Sequence, residues 1–197
     1  MKKNNFFLAV LLLAGFSINT ACNSTPKEET KDSKEVAEEQ NEQKFAADST
    51  ENVKKNAEWL VDVTAANYHE VAMASVAKEK STNKGIRSLA DSLISDHKQV
   101  IEDIKGLAAK KSITLPVAET EDAMKDTEKF KAKNNSDFNK DWTDEMVNLH
   151  KKSISKFEDV VNNSNADGDT KSWAGATLPK LRHHLDMLEM LQTSLKK

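Results

Sequence analysis

The sequence predicts an all-α protein whose folded part is a four-helix bundle with one long crossover. Three observations point there. Glycine and proline are scarce, 5 and 3 in 197 residues, while Lys, Glu, Ala and Leu are plentiful, which favours helix. Four long segments place apolar residues at helical spacing. The stretches that join them run short, long, short.

The first segment spans Thr50 to Lys80 and carries Leu60, Val63, Met73 and Ala77 on one stripe. Ser81-Thr82-Asn83 makes a turn, and the second segment carries Ile86, Leu89, Leu93, Val100, Ile101, Ile104 and Leu107. The third starts near Ser136, a residue suited to an N-cap, and carries Phe138, Trp142, Met146, Ile154, Phe157 and Val161. The fourth starts near Asp169 and carries Trp173, Leu181, Leu185, Leu188 and Leu191. Short turns make each pair an antiparallel hairpin. Between the hairpins, Ser112 to Asn135 includes Leu115-Pro116 and a charged stretch of helical character around Glu119 to Lys131, long enough to run the length of the bundle. Short–long–short is the connectivity of a ferritin-like four-helix bundle.

Residues 1–21 read as an export signal. Lys2 and Lys3 form a positive start, and Phe6 to Ile18 form an apolar run shorter than the ~20 residues a bilayer span needs. Asn19-Thr20-Ala21-Cys22 contains the chain's single cysteine and resembles the lipobox of bacterial lipoproteins, whose cysteine is acylated and becomes the mature N-terminus. Asn19 departs from the usual aliphatic residue three positions before the cysteine, yet it equally breaks the small-x-small pattern of ordinary signal cleavage. The expectation is a cell-envelope protein anchored in the outer membrane by a lipid on Cys22, periplasmic or surface-exposed. Lys27-Glu28-Glu29 resembles the charged export signal of surface lipoproteins. With Cys22 modified, no thiol remains for a disulfide or a thiolate metal ligand. Residues 22–48, rich in Glu, Lys, Gln and Ser, read as a lipidated, disordered tether, and 49–197 as the bundle.

Net charge is −3, and removing Lys2 and Lys3 with the signal takes it to −5. An acidic chain carries no electrostatic footprint for nucleic acid, so none is expected as a partner. No Ser/His/Asp order, glycine-rich phosphate loop or pair of catalytic carboxylates is present, and no catalytic residue is assigned.

The informative residues are polar ones where the stripe demands apolar ones. Glu70 lies seven residues after Val63 and three before Met73; His97 lies four after Leu93 and three before Val100. His150 sits between Met146 and Ile154, and His184 between Leu181 and Leu188. Each predicted helix thus buries one ionisable group. Counting from the turns at 1.5 Å per residue puts Glu70 level with His97, and His150 level with His184, to within roughly one helical turn. If the crossover makes the second and third helices parallel, all four converge near mid-bundle. Those two helices also echo one another, Asp91 to Lys98 against Asp144 to Lys151.

Burying one unpaired ionisable side chain costs several kcal/mol, so the four must satisfy each other or a ligand. One reading is a hydrogen-bonded layer that fixes helix register. The other is a site for a transition metal, Zn, Fe or Cu, with one carboxylate and up to three imidazoles. Asp96 and His69 are candidates to orient the ligands from outside, although both stand beside a ligand in sequence and therefore point away from it. His183 is displaced from His184 in the same way. Pro179, five residues before His184, removes a backbone hydrogen bond and kinks or loosens the helix, eased by Gly175. Asn163 to Gly168 looks like the start of a calcium loop, but the position of its bidentate glutamate is Ala174, and a turn explains the segment better.

Ser95-Asp96-His97, Leu115-Pro116, Met146-Val147-x-x-His150 and Leu178-Pro179-x-Leu181-x-x-His184-Leu185 follow Met73 to Lys80 in that order. Over residues 50 to 195 this resembles the bacterial domain-of-unknown-function family 4142, described as outer-membrane proteins and grouped with ferritin-like bundles. The resemblance implies Glu70, His97, His150 and His184 as the matching polar positions, and it implies no activity. Di-iron bundles carry Glu-x-x-His on two helices, whereas here the residues three before His97 and His184 are Ile94 and Leu181. Ferritin-type iron oxidation is therefore not expected. Three functions stay open: an envelope metal-binding bundle, a non-catalytic structural or interaction lipoprotein, and a metal-dependent oxidoreductase.

Overall fold

A computed structural model describes residues 31–46 and 50–196 of the chain. The export signal, Cys22 and the Lys27-Glu28-Glu29 segment lie outside the described residues. Within them the chain forms six α-helices and no strand: α1 (Ser33–Phe45), α2 (Glu51–Lys80), α3 (Lys84–Lys110), α4 (Glu121–Ala132), α5 (Asn135–Asn162) and α6 (Gly168–Ser194). No helix among the described residues is long and apolar enough to cross a membrane.

The four predicted long helices are α2, α3, α5 and α6. Helix α2 packs along α3 and α5 along α6, while α2 also meets α5 and α3 meets α6. Side-chain contacts fix their directions. The end of α2 meets the start of α5, where Ser81 Oγ donates to Asn139 Oδ1 at 2.7 Å, and the start of α2 meets the end of α5, where Trp59 Nε1 donates to the Lys156 carbonyl at 3.2 Å. Lys111 at the end of α3 pairs with Asp167 at the start of α6 at 2.6 Å. So α3 and α5 run parallel, and the connection between them returns the chain over the length of the bundle. The charged stretch within that connection is α4, which lies against α2.

Helix starts differ from the expected residues by one or two positions. Asn134 rather than Ser136 precedes α5, and α6 is capped by Asp167, whose carboxylate accepts from Thr170 N at 3.0 Å, not by Asp169. Just beyond α3, Ser112 has a left-handed φ of 57°, which lets Ile113 N reach back to the Ala108 carbonyl at 2.9 Å. The turn before α6 is built from Asn163 and Asp167, and Ala174 is fully buried in the core, so the segment is a turn and cap.

The larger departure is α1. The disordered tether expected over 22–48 is corrected over Ser33–Phe45, which is helical and packs on α2. Asp32 caps it, accepting from Lys34 N and Glu35 N. Ala37 and Asn41 are buried, and Asn41 pairs with the backbone of Thr114 in both directions, donating to its carbonyl at 2.8 Å and accepting from its N–H at 2.7 Å. The compact unit therefore begins at Lys31, not at residue 49.

The apolar core has two parts. One, toward the start of α2, gathers Leu60, Val63, Ile104, Phe157, Ala174 and Leu181; Trp59 and Trp173 pack against it. The other gathers Met73, Ile86, Leu93, Trp142, Met146 and Leu188. Between them every long helix contributes one ionisable residue, so a polar layer divides the core at mid-height.

Candidate metal centre

The four residues of that layer are Glu70 of α2, His97 of α3, His150 of α5 and His184 of α6, exposed by only 2%, 1%, 0% and 2%. The three imidazoles form a nearly equilateral triangle, with ring centroids 5.3, 5.3 and 5.5 Å apart. One nitrogen from each lies within 4.8 Å of the others. Glu70 Oε2 faces the same point, 3.0 Å from His97 Nε2 and 4.0 Å from His150 Nε2. Bonds of about 2.0–2.1 Å to a tetrahedral ion set donor atoms roughly 3.4 Å apart, between those two distances.

The protons can be assigned from the outward hydrogen bonds. Asn67 Nδ2 donates to the Val63 carbonyl at 2.7 Å, which fixes the amide so that its Oδ1 faces His97 Nδ1, also at 2.7 Å. An amide oxygen only accepts, so His97 Nδ1 carries hydrogen. His150 Nδ1 lies 3.0 Å from the Met146 carbonyl and must donate to it. His184 Nε2 lies 2.9 Å from Asp96 Oδ2 and donates to that carboxylate. In the neutral ring the other nitrogen of each is a lone pair, and these three atoms, His97 Nε2, His150 Nε2 and His184 Nδ1, are buried with no hydrogen-bond partner. Glu70 is oriented the same way: Ser153 Oγ donates to its Oε1 at 2.8 Å, leaving Oε2 to the interior. In their neutral forms the three rings and Glu70 present only electron pairs to one another, and the 3.0 Å between His97 Nε2 and Glu70 Oε2 is the one gap a single hydrogen can bridge. Metal-binding histidines commonly donate their second N–H outward to a carbonyl, amide or carboxylate, and that is the pattern here.

Electrostatics set the charge of the carboxylate and of two of the imidazoles. Burial alone pushes the Glu70 carboxyl up, but His97, His150 and the Ser153 hydroxyl outweigh it and hold the group well below the usual carboxylate range. Burial pushes His184 down to about 4 against the opposing pull of Asp96, and it lowers His150 against that of Glu70. Both imidazoles are neutral at pH 7, as a metal ligand must be.

The structure brings together all four expected residues. Asp96 does orient a ligand, but across the α3–α6 seam to His184 and not to its neighbour His97. His69 is half-buried, and no hydrogen bond or ion pair links it to the four. His183 is exposed. Three orienting groups escaped the sequence reading: Asn67, Ser153 and the Met146 carbonyl. Asn67 sits three residues before Glu70 on the same buried stripe, a signal that was available. Ser153, three after His150, is too ordinary on a helix to stand out.

A family model described as a domain of unknown function, DUF4142, matches residues 37–191 and so begins inside α1. No curated protein and no solved structure matches the chain. The match spans most of the chain, including every residue of the polar layer, and the protein belongs to the DUF4142 family.

Proposed function

We propose that this is an envelope lipoprotein, held to the outer membrane by a lipid on Cys22, whose ferritin-like four-helix bundle binds one transition metal ion through Glu70, His97, His150 and His184. The observation that supports it is the convergence of four buried lone-pair donors with their hydrogens turned outward. A cation at their centre would neutralise Glu70 and accept all four electron pairs at once. Three imidazoles and one carboxylate suit Zn, Fe or Cu better than Mg or Ca, which take oxygen ligands. With Ile94 and Leu181 where di-iron bundles carry glutamates, one carboxylate serves one ion. The role that fits is metal handling or stress protection in the envelope, with no catalytic residue assigned.

Elemental analysis of the mature domain, purified without an affinity tag, tests this reading. About one transition metal ion per chain is expected, and His97→Ala should lose it. If none co-purifies or binds at micromolar concentration, and His97→Ala changes only stability, the layer is a packing device. The anchor is tested separately. Cys22→Ala should move the protein from the membrane fraction to the soluble one, and tight membrane association of that variant would refute the lipid assignment.

A further inference from the structure

The polar layer is sealed, so an ion that binds there needs a way in. Two of the four ligands are oriented from inside the bundle, His97 by Asn67 and His150 by a backbone carbonyl, and Glu70 is held by the neutral hydroxyl of the half-buried Ser153. His184 differs. Its partner Asp96 is 33% exposed at the side chain, on the seam where α3 meets α6. The second oxygen of Asp96 is held at 2.9 Å by Lys180, itself 42% exposed. Solvent, Asp96 and His184 thus form one continuous line from the surface to the site.

Helix α6 is also weakest beside that line. Pro179 lies inside it, adjacent to Lys180, and has no N–H to offer the Gly175 carbonyl one turn back. Both residues are exposed, and a Cβ at Gly175 would find only Val161, at 3.9 Å. The wall that carries His184 lacks one rung of its backbone ladder just before the ligand.

We infer that Asp96 is the exchange port of the metal centre: a divalent cation first displaces Lys180 from the Asp96 carboxylate, then reaches the interior as His184 leaves its hydrogen bond to Asp96. This rests on the metal reading above. Asp96 is a surface carboxylate that attracts a hydrated cation, and Lys180 is the resident charge that any incoming ion must outcompete. Of the four ligands, His184 is the one that opens.

Release of Co2+ tests the port. The mature domain is loaded with Co2+, whose visible bands report its coordination, and their decay is followed after adding excess EDTA. Lys180→Ala should release and take up cobalt at least threefold faster than wild type, with unchanged stoichiometry. Asp96→Asn should slow uptake severalfold. Lys156→Ala removes a comparable ion pair, Lys156 to Asp62 at 2.7 Å on the α2–α5 side, and should leave both rates unchanged. Equal rates in wild type and Lys180→Ala overturn the port while leaving the metal centre standing. So does equal acceleration by Lys180→Ala and Lys156→Ala, which means that the bundle opens without a preferred seam. Wild-type protein that takes up no cobalt overturns both.

Discussion

Glu70→Leu is expected to invert the order of stabilities between the metal-free and metal-loaded protein. Without metal, wild type keeps a fully buried carboxylate 3.0 Å from His97 Nε2. Removing one member of a buried ionic pair is costly when it leaves a charge behind, but an ordinary imidazole carries none at pH 8, and leucine fills a similar volume. At pH 8, therefore, the metal-free variant should unfold within about 2 kcal/mol of wild type, or above it. With metal the comparison reverses. An ion present at a thousand times its dissociation constant stabilises the folded state by about 4 kcal/mol, which for a chain of this size raises Tm by roughly 10 °C. The variant has lost its only anionic ligand and should gain almost nothing. Thermal unfolding with and without Zn2+ reads both halves. Equal gains from zinc in the two proteins, or none in wild type, would show that the layer is not a metal centre.

The parts of this site that were legible in the sequence are those that break a pattern. Glu70, His97, His150 and His184 occupy stripe positions that hydrophobic periodicity reserves for apolar side chains, and burying each costs enough to need an explanation. Their common height followed from counting residues to two short turns, since helical rise is nearly constant. What stayed hidden breaks no pattern. Helix α1 buries only Ala37 and Asn41, too little apolar surface for periodicity to detect; it is held instead by the paired hydrogen bonds of Asn41 with Thr114, a residue 73 positions away. The partner of Asp96 was hidden for a geometric reason. Consecutive helical residues point about 100° apart, so Asp96 cannot turn to His97 and faces the neighbouring helix. Sequence shows which residues share a stripe, whereas the hydrogen bonds that aim them come from other helices.

Lowering the pH should destabilise the metal-free bundle well before its carboxylates titrate. His184 is held at about 4 in the folded protein, against about 6.5 in an unfolded chain, and His150 is lowered too. As pH falls through 6.5 the unfolded chain binds protons that the folded protein does not, so the unfolded state gains. The stability that His184 contributes is intact above about pH 7, declines between 6.5 and 4, and is exhausted below 4. Between pH 7 and pH 5 the loss from this one residue is of order 2 kcal/mol. Glu70 adds little between pH 7 and 5, because its folded carboxyl stays charged and an unfolded one protonates only nearer pH 4. Urea unfolding of the metal-free domain at pH 7 and pH 5 measures the loss, and His184→Leu should shed most of it. The same neutrality makes the centre tolerant of mild acid once loaded. An ordinary imidazole at pH 5.5 is about nine-tenths protonated and costs a metal site roughly tenfold in affinity. His184 escapes that competition down to about pH 4, so the affinity should fall much less steeply between pH 7 and 5.5 than three solvent-exposed histidines would dictate. A hundredfold or greater loss of zinc affinity over that interval, with the fold intact, would mean that His184 and His150 titrate freely and are not held neutral by burial.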